Sequence, residues 1–350
     1  MRLKRWAGWT VSAMAVAWLT IGAQMSAWAG ERNGLVRFGS EVAPTAQFVM
    51  AGDGESLLAP GSDPDLRVMV DGDLATASHV AVLVPGVDTT PERFDNALAR
   101  GIGVGSGEVG VAGTTAGART VVASMARRAG GATADGWTDG GADGGAGAGA
   151  VDTGGPDWWK TMPGWARSLR LAAAEEAPGG MDDVAVVAWL GYVTPAGWAG
   201  AAPAAMKQGA ANLAAFDEFL TSARPGAEVT WVCHSYGSLV CASALVKADP
   251  DALVLVGSPG VGVDKSSQLS TTARIWAGES GNDLISLTEL VSLVGGSFGT
   301  RPSSPAFGAL PLPCDAADGH SDYFRPGSAQ VRTMASVVMG TAASGSLPAS

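Results

Sequence analysis

The sequence predicts an α/β fold in which a mostly parallel central sheet carries helices on both faces. Two observations predict it. The runs at 79–84, 184–189 and 252–256 are apolar at nearly every position. A strand apolar on both sides suits the interior of a parallel sheet covered above and below. Segments of helical character alternate with these runs, the order that crossovers between parallel strands require.

The 350 residues are 47% hydrophobic, enough for a sizeable core. Residues 1–29 open with a basic head of Arg2, Lys4 and Arg5, followed by a largely apolar stretch from Trp6 to Gly22. Ala27-Trp28-Ala29 then presents small residues where a signal peptidase reads them. This predicts a signal peptide cleaved after Ala29. A retained membrane anchor is the alternative, since the apolar stretch approaches the ~17–25 residues of a span. Export would make the protein secreted or cell-envelope, where disulfides persist.

Residues 30–64 read as an irregular lead-in with one short strand at 48–50. The α/β domain is expected over 65–340. Residues 66–70 have strand chemistry and stop at the turn signal Asp71-Gly72. The strand at 79–84 is closed by Pro85-Gly86. Pro91 can start a helix over 91–100, because proline is tolerated in a first turn, and a second helix is expected over 114–128. The glycine density of 130–155 makes ordering costly, so this stretch reads as a flexible surface insertion. A calcium-binding repeat is the alternative, but its aspartates keep no fixed period. Trp158 and Trp159 either anchor the chain back on the body or line a pocket rim. Further strands are expected at 184–189, 228–233, 252–256 and 273–277. Helices are expected at 165–174, 202–220, 238–246 and 328–339, with a disordered tail at 341–350.

Charge excludes some functions. A net charge of −11 repels phosphate backbones and anionic lipid. No nucleic-acid partner is expected, and membrane contact only through an uncleaved leader. The sequence offers no reading of oligomeric state.

The chemistry concentrates at Cys233-His234-Ser235-Tyr236-Gly237-Ser238. Here a strand runs into a helix through a His-Ser-x-Gly turn. An α/β-hydrolase fold needs that context, a strained tight turn that lifts the serine hydroxyl above the sheet edge. Cys233 stands where glycine is usual, so the strict pattern is missed by one position. Ser235 is the candidate nucleophile, and the following helix directs amides at developing negative charge.

A neutral serine needs a general base. The chain has three histidines. His79 starts a strand, at the wrong end of the sheet, and His234 is adjacent to the nucleophile with its side chain expected to leave in another direction. His320 lies in a polar loop ahead of the last helix, in the chain order expected of a hydrolase histidine. The acid should follow a late strand, and Asp283 is preferred, with Glu279 and Asp264 as alternatives. For the oxyanion hole, the amide of Tyr236 and the amide of Val87 are the candidate donors. Gly86 would permit close approach, and Asp88 would brace the loop. Trp189 and Tyr192 either line a pocket or pack in the core. With no tight His or Cys cluster, neither a metal nor an organic cofactor is expected.

His79–Val87, Trp189-Leu190-Gly191-Tyr192, His234–Ser238, Val256–Gly262 and Gly319–Phe324 together resemble an actinobacterial α/β-hydrolase family long catalogued as a domain of unknown function. The resemblance covers roughly residues 65 to 340. It implies a hydrolase fold with Ser235, an acid near Asp283, and His320 as a triad, and it supplies no substrate. Val193 stands where it leads one to expect an aspartate, and the insertion at 130–155 is a second departure. Cys233 is a feature it shares with exported relatives.

Cys233, Cys241 and Cys314 allow three different single disulfides. The Cys241–Cys314 pairing is preferred, because it would hold the His320 loop against the core. The functional expectation is a serine hydrolase cleaving a small-molecule or lipid-like ester through an acyl-enzyme. Amidase, peptidase or acyltransferase chemistry is the enzymatic alternative. A non-catalytic cell-envelope binding protein is the other class, disfavoured by an intact Ser, Asp and His.

Overall fold

The structure is a computed structural model that describes residues 43–46, 48–50, 56–58, 63, 65–99, 157–197, 203–283, 285 and 298–342. The expected leader, the helix at 114–128 and the glycine-rich insertion lie outside the described residues, as does nearly all of the tail.

A two-stranded antiparallel ribbon of β1 (Phe48–Met50) and β2 (Ser56–Leu58) precedes the main sheet. The single strand expected in the lead-in therefore has a partner. Phe48 packs on Phe216 of a helix described below, with ring centroids 4.8 Å apart. The seven-stranded main sheet has the order β3-β5-β4-β6-β7-β8-β9. Its strands are β3 (Arg67–Asp71), β4 (His79–Val84), β5 (Val184–Leu190), β6 (Glu228–His234), β7 (Ala252–Val256), β8 (Arg274–Gly278) and β9 (Leu310–Pro311). Only β3, at one edge, runs antiparallel to its neighbour.

Side-chain alternation divides the core in two. Val80, Val82 and Val84 point to one face of the sheet, with Val187, Trp231 and Leu253. That face is covered by α3 (Pro203–Ala223) and α4 (Gly237–Ala244). Ala81 and Leu83 point to the other, with Val186, Val232 and Val254. There α1 (Pro91–Ala99), α2 (Met162–Glu176) and α5 (Ala329–Val338) pack. Helix α2 starts earlier than residue 165 because Thr161 caps it, its hydroxyl accepting from the Gly164 amide at 3.2 Å, with Pro163 in the first turn. Ser328 caps α5 in the same way, through the Val331 amide. Trp159, in the short 3-10 turn Trp158–Lys160, is buried and ties this chain entry to the body.

The order of strand addition reverses at the centre. From β4 the chain passes to β5 on one side and then to β6 on the other. In open α/β sheets the crevice at the carboxyl ends of such strands is where ligands bind. Among the described residues no helix is long and apolar enough to cross a membrane.

One buried carboxyl on α3 yields a stability prediction. Burial, with Asp251 and Asp249 nearby, pushes Asp217 up to about 6. The folded state thus holds this proton more tightly than the unfolded chain, and ionisation costs stability as pH rises from about 4 to about 6. Asp217→Asn should be more stable than the wild type by about 1–3 kcal/mol above pH 6, an advantage that fades below about pH 4. Urea denaturation at pH 4 and pH 7.5 reads this directly, and equal differences at both pH values would contradict it.

Candidate active site

The strand β6 ends at His234, and the backbone then turns sharply. Ser235 has φ 56°, in the left-handed region that side chains rarely adopt. Such a conformation costs on the order of 1–3 kcal/mol and persists only where the surroundings impose it. They do so here. The Ser235 amide donates to the Val256 carbonyl at 3.0 Å, and its own carbonyl accepts from the Ser238 hydroxyl at 2.7 Å. Gly237 meets the preceding loop so closely that a Cβ would lie 2.5 Å from the Pro85 carbonyl oxygen. A Cβ on Gly86 would lie 2.7 Å from that of Ser235. The β4 loop and the serine turn are therefore in direct contact, which neither glycine could allow with a side chain.

The Ser235 hydroxyl lies 2.8 Å from His320 Nε2, across 85 positions of sequence. On the far side of the ring, Nδ1 lies 2.8 and 2.9 Å from the two oxygens of Asp283. A carboxylate only accepts, so Nδ1 carries the hydrogen and Nε2 is left to accept from the serine. Asp283 also accepts the Tyr323 hydroxyl at 2.6 Å and the Ile285 amide at 2.8 Å. Burial alone would raise its pKa. The imidazole hydrogen bond, the His320 charge, the tyrosine hydroxyl and the amide outweigh burial and hold the carboxyl below its ordinary value. Burial and the adjacent carboxylate push the Tyr323 hydroxyl far up, so it stays a donor.

The alternative acids are occupied elsewhere. Both Glu279 oxygens accept from Arg301 at 2.6 Å, and one also accepts from Ser303. Asp264 Oδ1 accepts the Thr300 amide at 3.2 Å. Neither carboxylate has a hydrogen bond to His320 among the described contacts. His79 lies at the opposite end of the sheet, beside Glu228.

A groove of about 470 Å³ opens over this centre. Ser235, His234, His320 and Ser321 line its floor; Phe94, Ala97, Met162 and Trp165 form an apolar wall. Arg93, Lys160 and Thr161 line it further, as do Val87, Asp88 and Thr89. Asp88 has φ 60° and fixes its loop. Its amide donates to Pro195 at 2.9 Å, and its carboxylate accepts the Gly197 amide at 2.8 Å. Trp189 and Tyr192 are corrections to the pocket reading. Both are buried in the core under α3 and neither lines the groove. Trp189 points to that face by strand alternation. Tyr192 acts from behind, its hydroxyl donating to the Pro85 carbonyl at 2.7 Å.

The disulfide also differs from expectation. Cys233 pairs with Cys241, their Cα atoms 6.5 Å apart, and Cys314 is a free thiol. The reason is which side of the sheet each thiol occupies. Cys233 at the end of β6 and Cys241 on α4 belong to the same core, whereas Cys314 packs against the opposite one. Burial pushes the Cys314 thiol up to about 12.

His234, expected to point away from the nucleophile, instead sits against His320, the candidate base. Its Nε2 lies 2.8 Å from the His320 carbonyl oxygen, and the two rings are 4.7 Å apart. The available signal was period two: a residue following Cys233 must face the opposite core, where the His320 loop packs. Tyr323 was legible only as part of a motif, without a role.

A family model described as alpha/beta hydrolase matches residues 148–293. No curated protein and no solved structure matches the chain. The chain is similar to that family across α2 to β8, a span containing Ser235 and Asp283 but not His320. With its seven-stranded, mostly parallel sheet, the protein has the α/β-hydrolase fold. The match supports a hydrolase.

Proposed function

We propose that the protein is a serine hydrolase that cleaves a carboxylic ester through an acyl-enzyme intermediate. The observation carrying this reading is the unbroken chain of contacts from the Ser235 hydroxyl through His320 to Asp283. Ser235 Oγ attacks the ester carbonyl carbon while its proton passes to His320 Nε2. Asp283 keeps the imidazole in the receptive tautomer and stabilises the imidazolium that forms. The negative charge on the former carbonyl oxygen is held by the amides of Tyr236 and Val87. Collapse expels the alcohol, which takes the proton back from His320, and leaves the acyl group on Ser235. Water then repeats the sequence, with His320 first base and then acid, and releases the acid.

The apolar wall of Phe94, Ala97, Met162 and Trp165 suits the hydrocarbon part of a small-molecule or lipid-like ester. The site needs no metal or organic cofactor for these steps. Export through the N-terminal leader belongs to this proposal, and the Cys233–Cys241 bridge is compatible with it.

A fluorophosphonate probe tests the reading. Wild-type protein should be labelled and should hydrolyse p-nitrophenyl esters, and both should vanish in Ser235→Ala. A folded wild type that takes no label and turns over no ester would favour a binding protein instead.

A further inference from the structure

We infer that His234 is a positioning residue for the general base, clamping the backbone of His320 and supporting its ring. This deepens the proposed hydrolase reading and rests on it. The clamp follows from hydrogen-bond chemistry. The His320 carbonyl can only accept, so the 2.8 Å contact fixes the hydrogen on His234 Nε2. That leaves Nδ1 as a bare acceptor. It is buried and has no hydrogen-bond partner among the described residues. An apolar ring of the same shape would fill this place without burying an unmatched nitrogen. What histidine adds is the one donor aimed at residue 320.

The packing around the ring makes the clamp rigid. His234 meets the edge of Trp165 at 5.2 Å, and Trp165 stacks on Phe324 at 4.6 Å. Tyr323, which donates to Asp283, lies 5.6 Å from the His234 ring. One aromatic cluster thus touches the base directly and reaches the acid through a hydroxyl. The His320 loop is held at neighbouring points too: the Asp322 carboxylate accepts the Gly319 amide at 2.9 Å, and Asp318 binds Arg325. His234 holds residue 320 itself. Its charge state suits the place. Burial first, and the His320 charge second, lower its pKa to about 3, so it adds no cation beside the imidazolium of the reaction.

Two substitutions separate the clamp from simple packing. His234→Phe keeps a ring between Trp165 and His320 but removes the donor. His234→Gln keeps a neutral donor of similar reach. With p-nitrophenyl butyrate, the Phe variant should lose about 30- to 100-fold in kcat with KM within about threefold, because misplacement of a reacting group by about 1 Å has effects of that order. The Gln variant should return to within about fivefold of wild type. In proton NMR, the downfield His320 Nδ1 resonance should broaden or shift in the Phe variant and persist in the Gln variant. Wild-type kinetics in the Phe variant would overturn the inference, as would a folded Gln variant no faster than Phe. The NMR arm needs no turnover. Should the wild type neither label nor hydrolyse, the hydrolase reading fails, and an unchanged Nδ1 signal in the Phe variant still overturns the clamp separately.

Discussion

Replacing His320 with alanine will lower kcat/KM toward p-nitrophenyl esters by about 10⁴-fold or more. The expectation follows from the proton. At neutral pH the Ser235 hydroxyl is a poor nucleophile, and the base that would take its proton sits 2.8 Å away. Without the imidazole that proton has no acceptor in place, and the departing alcohol has no donor. Oxyanion stabilisation and substrate binding remain, so a residual rate above that of water should survive. Residues acting as one unit lose activity non-additively. Ser235→Ala/His320→Ala should therefore be hardly slower than either single variant. Steady-state kinetics with a Ser235→Ala background control decides the matter. His320→Ala within about tenfold of wild type would remove the base assignment and, with it, the proposed mechanism.

The largest stability effect is expected far from the groove. Asp71 ends the edge strand β3 and is fully buried, with Arg170 on α2 donating to it at 2.8 Å. Arg167 contributes a longer contact at 3.5 Å. Arg170 also donates to the Val184 and Met181 carbonyls, at 2.9 and 2.6 Å. One guanidinium therefore joins β3, the start of β5 and the turn before it. Burial raises the Asp71 pKa even against the two arginines, so the carboxylate is already poorly accommodated. Arg170→Met leaves that charge without its main partner and orphans two carbonyls. The cost should be about 3–5 kcal/mol in urea denaturation. Arg170→Met/Asp71→Asn should recover a substantial part of it. A loss below about 1 kcal/mol in the single variant would show that solvent or Arg167 compensates.

Much of the architecture was legible because buried parallel strands advertise themselves. β4, β5 and β7 are apolar on both faces, β6 is apolar on one, and the ends of all four fall within a residue or so of the expected bounds. The two-residue β9 carried no signal, since it is too short for periodicity and contains Pro311. The antiparallel direction of β3 was equally hidden, because pairing direction depends on where the chain returns. At the site, chain order narrowed the acid to three carboxylates and favoured Asp283, without a contact to decide among them. In the structure the loop after β8 turns Asp283 toward His320, while Glu279 is drawn away by Arg301. The cysteine error and the neglect of His234 share one cause: both depend on the side of the sheet a residue faces. Alternation along β6 settles that side, but only once the layers above and below are known.

The placement of the thiols gives each preparation an internal record of its history. Sheet and helices separate Cys314 from the bridged pair, so no native chain can join it to either partner. A molecule carrying such a mismatched link oxidised outside the native fold, before its layers closed or after they reopened. Peptide mapping under non-reducing conditions would thus distinguish protein matured correctly from protein trapped on the way.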